Sequence, residues 1–189
     1  MTKEPNSSCS CYLCAHPEIV DPTAWARAQI AAAIADYGWQ VVSVIGGKKS
    51  PPWSYTVGLW QSYRLPELFV GGLEADDACH WLNHIGGRRR DGEVMPVHTP
   101  IEGIVPPPHQ VVLRPVHDNW RVDLLAQLEL HYGSEAVPVE QVLWSDHDGL
   151  FPPDPGFDRV FRNKQPFLWL PKDSHPMNAW RKGDLSIRR

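Results

Sequence analysis

The chain has 189 residues and a net charge of −4, with 18 Lys and Arg against 22 Asp and Glu. That balance offers no basic field to draw in nucleic acid. No run of about 18 apolar residues marks a membrane span, and no charged-then-apolar leader opens the chain, so a soluble cytoplasmic protein is expected. At this length one domain buries roughly 70% of its unfolded surface and has a core of its own.

Met1 to Ser8 is polar and expected to be flexible. Cys9, Cys11, Cys14 and His16 follow as C-x-C-x-x-C-x-H. Thiolate sulfur and imidazole nitrogen are the ligands zinc prefers, and four of them complete a tetrahedral shell. The gap between Cys11 and Cys14 lets both sulfurs face one centre. Cys11, Cys14 and His16 form the tighter unit; the fourth ligand is Cys9, a distant histidine or water. The competing readings are a redox thiol pair, which belongs at a strand–helix junction of a βαβ unit, and a cluster that holds nothing. Cys79 stands alone, so there is no disulfide framework. On a body with its own core, zinc would pin the arm rather than fold the domain.

The first helix is predicted over 22–37. Asp21 is its N-cap, Pro22 takes the first helical position and Gly38 stops it, while Trp25, Ile30, Ala33 and Ile34 form the apolar stripe. Trp39–Ile45 and Trp53–Leu59 read as strands of a hairpin inside the sheet, packed by the first two helices. Gly58 within the second strand points to a bulge or to a close approach of another backbone. Leu68–Gly71 is a short strand, and Glu74 to Arg90 is the second helix. Val94–His98 and Gln110–His117 read as strands, and Trp120 to Tyr132, capped by Asn119, as the third helix. Val139–Trp144 is the last strand. A proline- and aromatic-rich stretch follows, and from Pro171 a mobile or loosely docked tail is expected. The strands follow one another through short loops without a βαβ rhythm. This predicts one α+β domain over 9–170, with a largely antiparallel sheet, about three helices and the N-terminal metal-binding arm.

Nine tryptophans demand an aromatic core, an aromatic-lined cleft, or both. A cleft would draw on Trp53, Tyr55, Trp60, Trp144, Phe151 and Phe157, with Glu67, Asp146, Asp158 and Gln165 as polar contacts. Equally, strand aromatics fill cores and aspartates populate turns. His80 and His84 share a helical face at i, i+4, yet Trp81 stands where a metalloprotease helix carries Glu. Arg88-Arg89-Arg90 complements the negative end of the second helix.

Several of these segments together carry a resemblance. Cys11-Tyr-Leu-Cys14-Ala-His16-Pro17, Gly38-Trp39, Trp53-Ser-Tyr55-Thr56-Val57-Gly58-Leu59, Leu65-Pro66-Glu67-Leu68 and Gly71-Gly72-Leu73 resemble an uncharacterised bacterial family known as domain of unknown function 4262. Val142-Leu143-Trp144-Ser145-Asp146 and Pro155-Gly156-Phe157 are similar to its closing segment. The likeness spans residues 11 to 170. It implies a shared fold and brings no activity. Cys9, Arg88-Arg89-Arg90 and the tail beyond Pro171 lie outside the pattern.

No nucleophile elbow, P-loop, zinc-protease helix or dinucleotide fingerprint is present in the sequence. The expected function is a non-enzymatic binding or inhibitory interaction protein with a structural zinc. It would engage an unidentified protein partner or small ligand through Trp53, Tyr55, Glu67, Trp144, Asp146 and Phe157. The alternatives are a metal-dependent hydrolase using the cluster or the carboxylates near Trp144, and a nucleic-acid binder.

Overall fold

A computed structural model describes residues 15–47, 50–176 and 180. Helix α1 (Pro22–Tyr37) starts and stops on its local signals. Asp21 Oδ1 accepts the N–H groups of Thr23 and Ala24, each at 3.0 Å, and Gly38 at φ 90 returns its N–H to Ile34 O. Strands β1 (Gln40–Val44) and β2 (Trp53–Val57) form an antiparallel hairpin with Gln40 opposite Val57. A short helix α2 (Leu59–Tyr63) leads to β3 (Glu67–Gly71), antiparallel to β2. Helix α3 (Ala75–Arg90) then crosses one face of the sheet. Its start carries Asp76 and Asp77 and its end three arginines, complementing the macrodipole at both termini. Strand β4 (Val111–Pro115) is followed by a 3-10 turn (Asp118–Trp120) and two short helices, α4 (Arg121–Leu124) and α5 (Ala126–Tyr132). Strand β5 (Val139–Trp144) closes the sheet.

The sheet is open and mostly antiparallel, in the order β1-β2-β3-β5-β4; only β3 and β5 pair in parallel. Side chains alternate between its two faces. Leu68, Val70, Leu113, Val142 and Trp144 meet Ala78, Leu82 and Ile85 of α3 on one face. Trp53, Tyr55, Val57, Phe69 and Val139 meet Ile30 and Ile34 of α1, Leu124 of α4, Leu125 between the two short helices and Leu128 of α5 on the other. The fold is thus α+β with helices on both faces.

Four expectations are corrected. The hairpin is not wholly interior, because β1 is the edge strand and only β2 has neighbours on both sides. Residues 94–98 form no strand: Pro96 has no N–H to donate, and what is ordered there is a single His98 N–H bond to Leu113 O with an isolated bridge from Ile101 to Val111. The helix expected over 120–132 breaks at Leu125, whose φ is −121 and ψ 44. Two sheet aromatics take the partners that an unbroken helix would use. Trp53 Nε1 donates to Leu124 O at 2.9 Å, and Gln127 N donates to the Tyr55 hydroxyl at 3.1 Å. The second strand ends at Val57 rather than Leu59, because Gly58 at φ 122 turns the chain into α2.

Gly58 is the close approach anticipated from its place in a strand. A Cβ there would lie 2.7 Å from Ile34 Cγ1 and 2.9 Å from both Gly38 O and Trp39 Cα. The bare α-carbon lets the end of β2 nest against the α1–β1 junction. Beyond Pro171, Lys172–Ser174 form a further 3-10 turn, and Trp180 is 1% exposed with its ring edge-on to Trp53 at 5.9 Å.

Candidate functional site

Glu67, at the start of β3, is fully buried and its carboxylate is saturated. Oε2 accepts the Thr56 hydroxyl at 2.6 Å. Oε1 accepts the backbone N–H groups of Gly58 at 2.8 Å and Trp60 at 3.1 Å and the Tyr132 hydroxyl at 2.6 Å. Both N–H groups belong to the open start of α2, so a buried anion caps a helix whose own N-cap is glycine. Burial and the adjoining Glu67 charge hold the Tyr132 phenol well above its usual pKa.

Asp146 is used in the same way. Its Oδ1 accepts Asp148 N at 3.0 Å and Leu150 N at 2.9 Å, and its Oδ2 accepts Asp158 N at 2.9 Å. Burial raises its pKa, but these three donors and the charge of His147 outweigh that and leave it lowered. The Asp146-His147-Asp148 stretch is a tied turn that ropes the 146–158 loop to β5, with Phe157 sealed beneath it at 1% exposure.

The structure does not gather the expected site residues on one surface. Trp53 and Tyr55 face α1, α4 and α5, while Trp144 faces α3 with its Nε1 on Gly71 O at 3.1 Å. Gln165 clasps the Trp144 backbone through Oε1 at 3.0 Å and Nε2 at 2.8 Å. All these rings are interior, and none lines the clefts described below. Cys9, Cys11 and Cys14 lie outside the described residues. His16 sits 2.8 Å from Glu18 Oε1. Among the described residues, no group of three or more His, Cys, Asp or Glu is placed to hold a metal ion. His80 and His84 stand with ring centroids 6.0 Å apart. Each arginine of the 88–90 run is paired: Arg88 with Glu93, Arg89 with Glu140 at 2.7 Å and Arg90 with Asp91 at 2.8 Å. Among the described residues no helix is long and apolar enough to cross a membrane.

The chemically furnished surface lies elsewhere, where the end of α1, the start of β1, α2 and α3 converge around a cleft of about 1030 Å³. Helix α3 presents Cys79, Asn83 and Arg90 to it, positions on one stripe of the helix. Gly86 of the same stripe lets the Trp39 indole pack close, since a Cβ there would lie 3.3 Å from the ring. Asn83 Oδ1 takes Trp39 Nε1 at 2.9 Å and Asn83 Nδ2 reaches Cys79 Sγ at 3.3 Å. Tyr63 stands edge-on to Trp39 with centroids 6.0 Å apart, over Gly38, where any side chain would overlap the phenol. Arg90 lies 5.9 Å above the Trp39 ring. Asp36, Tyr37, Gln40 and Ser62 also line it, together with Ala33, Ile34, Ala35 and Val41. Tyr37 is not among the residues singled out from the sequence; by spacing it continues the Ile30–Ile34 stripe. The stripe outruns the core, and Tyr37 is 74% exposed. An aromatic at the overhanging end of a helix was the available signal.

A second cleft, of about 280 Å³, lies over the Tyr132–Glu67 contact and is lined by Trp60, Gln61, Arg64, His131, Tyr132 and Glu135. His131 Nε2 is 2.7 Å from Gln61 Oε1, and an amide oxygen only accepts, so this nitrogen carries the proton. Burial lowers the His131 pKa against the opposing pull of Glu67.

The family model described as a domain of unknown function, DUF4262, matches residues 33–158. The chain belongs to the DUF4262 family. No curated protein and no solved structure matches it. The DUF4262 range begins at Ala33, the first residue lining the large cleft, and contains the Thr56, Gly58 and Glu67 contacts that hold α2. The matched range leaves out Cys9, Cys11, Cys14 and His16.

Proposed function

We propose that this chain is a non-enzymatic binding protein that takes a small ligand in the cleft between α1, β1, α2 and α3. The observation that carries this reading is the cleft itself: tyrosine and tryptophan walls with a few placed polar groups, at a size suited to a small molecule. A second consideration supports binding over turnover. Glu67 and Asp146, the buried acids a hydrolase would need, are occupied by internal donors. Zinc held by Cys11, Cys14 and His16, with Cys9 the leading fourth ligand, belongs to this proposal as a structural feature. Its support is ligand type and spacing.

The test is a thermal-shift screen of small, flat molecules against the wild type and a Tyr37→Ala/Arg90→Gln variant. Tyr37 is 74% exposed and the Arg90 side chain 42%, and neither belongs to the buried core, so the variant is expected to keep its fold. Compounds that stabilise the wild type and not the variant support the reading; none among several hundred, or hits indifferent to the substitutions, would count against it.

An enzymatic alternative has one observation in its favour. In the smaller cleft, Gln61 fixes the tautomer of His131 and leaves Nδ1 as a basic lone pair beside Arg64. Hydrolysis lost in His131→Gln, with the fold intact, would favour it.

A further inference from the structure

The two edges of the sheet are finished differently. On the outer side of β4, His98 N donates to Leu113 O at 2.9 Å and Ile101 N donates to Val111 O at 2.8 Å, so the chain itself covers that edge. On the outer side of β1, the backbone of Gln40–Val44 makes no hydrogen bond among the described residues; its partners are all in β2. An antiparallel ladder uses alternate residues of each strand, so every second residue of β1 turns an N–H and a C=O outward. Native proteins blunt such an edge with lysine, proline or a bulge. This one carries none of them: Gln40, Val41, Val42, Ser43 and Val44 are uncharged and pair one to one with β2. The side chains add a second asymmetry. Trp39 and Val41 pack toward α3, whereas Ser43 and Ile45, on the same face by alternation, are exposed, Ile45 at 89%. The edge is covered at its start and bare at its end.

We propose that β1 pairs with β1 of a second copy of this chain, antiparallel about a two-fold axis at Val42. That register sets Val41 opposite the partner's Ser43 and Trp39 opposite the partner's Ile45. Directly opposed side chains share a face, so the bare end of each strand lies beside the covered end of the other. Ile45 thereby gains an apolar neighbour that its own chain does not give it. The strand suits its own copy because it is uncharged. A two-fold axis repeats each contact on the other side, and a lysine or glutamate in this strand would bring like charges together. The pairing also satisfies the outward N–H and C=O groups of both copies and continues the sheet across the axis. Trp39 and Val41 also line the large cleft, so the partner's Ile45 stands at its rim whether or not a small ligand occupies it.

Sedimentation equilibrium on the full chain, run in a reducing buffer so that thiol bridges play no part, reads the mass. A dimer is expected within roughly 10–100 μM, and Ile45→Asp should raise its dissociation constant about tenfold or more. Val122→Asp, the same change of charge at an exposed position on α4, is the control and should leave the constant unchanged. Amide exchange followed by NMR supplies the location. The outward-facing half of the β1 amides should be protected at high concentration and exchange freely once the protein is diluted to the monomer. A chain that stays monomeric across that range overturns the proposal. So does a dimer that Ile45→Asp leaves intact, or one in which those β1 amides still exchange freely.

Discussion

The Glu67 carboxylate accepts the Thr56 hydroxyl at 2.6 Å, and the same hydroxyl oxygen accepts the Leu68 N–H at 2.8 Å. This pair locks β2 to β3 just where the chain leaves the sheet for α2, and α2 carries Ser62 and Tyr63 into the cleft. Ser62 Oγ donates to Gly38 O at 2.7 Å, fastening the far end of the helix to the α1–β1 junction. The Thr56–Glu67 contact is therefore a device for positioning one wall of the cleft.

Glu67→Gln exchanges an acceptor-only group for one that also donates, facing four donors. It is expected to destabilise by roughly 2–3 kcal/mol, and Thr56→Val by about 1 kcal/mol. The double variant should cost less than the sum, because the two groups share a bond. Urea denaturation of the four proteins checks this; strict additivity would mean that the contact is not energetically coupled.

Gly58→Val meets backbone on two sides at a φ that valine does not adopt. A loss of at least about 2 kcal/mol is expected. Gly87, with nothing within 4 Å of its Cβ position, is the control, and Gly87→Ala should stabilise slightly. Equal midpoints for the Gly58 variant and the wild type would remove the nested junction from the account.

Burial pushes the Tyr55 phenol up from 10.0 to about 12, a shift that the Gln127 N–H bond partly offsets. A raised acid pKa means that the unfolded chain loses this proton first. The stability linked to Tyr55 is thus complete below about pH 10 and declines as pH rises toward 12. Tyr55→Phe should flatten that alkaline limb while costing stability at neutral pH, where the Gln127 N–H loses its acceptor. Midpoints collected from pH 8 to 11.5 decide it, and parallel curves for the two proteins would sink the claim.

Asp146 gives the opposite sign. Its folded pKa lies below the ordinary 3.8, so its contribution is present above that value and is lost as pH falls through the folded one. Asp146→Asn should be less stable at pH 7 and should lose less on acidification to pH 2.5. An unchanged acid limb in the variant would show that other carboxylates govern acid unfolding.

For the N-terminal segment, about one zinc per chain is expected in protein purified without added metal. Cys11→Ser should abolish it and leave the denaturation midpoint of the body unchanged. Metal-free protein with all thiols freely titratable would rule the site out.

What the sequence disclosed was mostly local. Asp21, Pro22 and Gly38 delimit α1 to the residue, and the run Val139–Trp144 delimits β5, because caps and strand runs act through neighbours along the chain. The break at Leu125 was hidden because its cause is non-local: Trp53 and Tyr55 reach it from another part of the chain. The same holds for the site. Its lining comes from four segments between Ala33 and Arg90, none of which carries a motif alone. The conspicuous aromatics, Trp53, Tyr55, Trp144 and Phe157, are conspicuous because they build the core.

The central claim is that the functional surface is the α1–β1–α2–α3 cleft and not the tryptophan-rich segments. Residue-resolved NMR titration with a library of small, flat molecules tests it most directly. The account predicts that shifts from binding compounds converge on Tyr37, the Trp39 indole, Tyr63, the Asn83 amide and Arg90. Shifts that converge instead on the Trp144–Phe157 region, or on the His131 cleft alone, would contradict it.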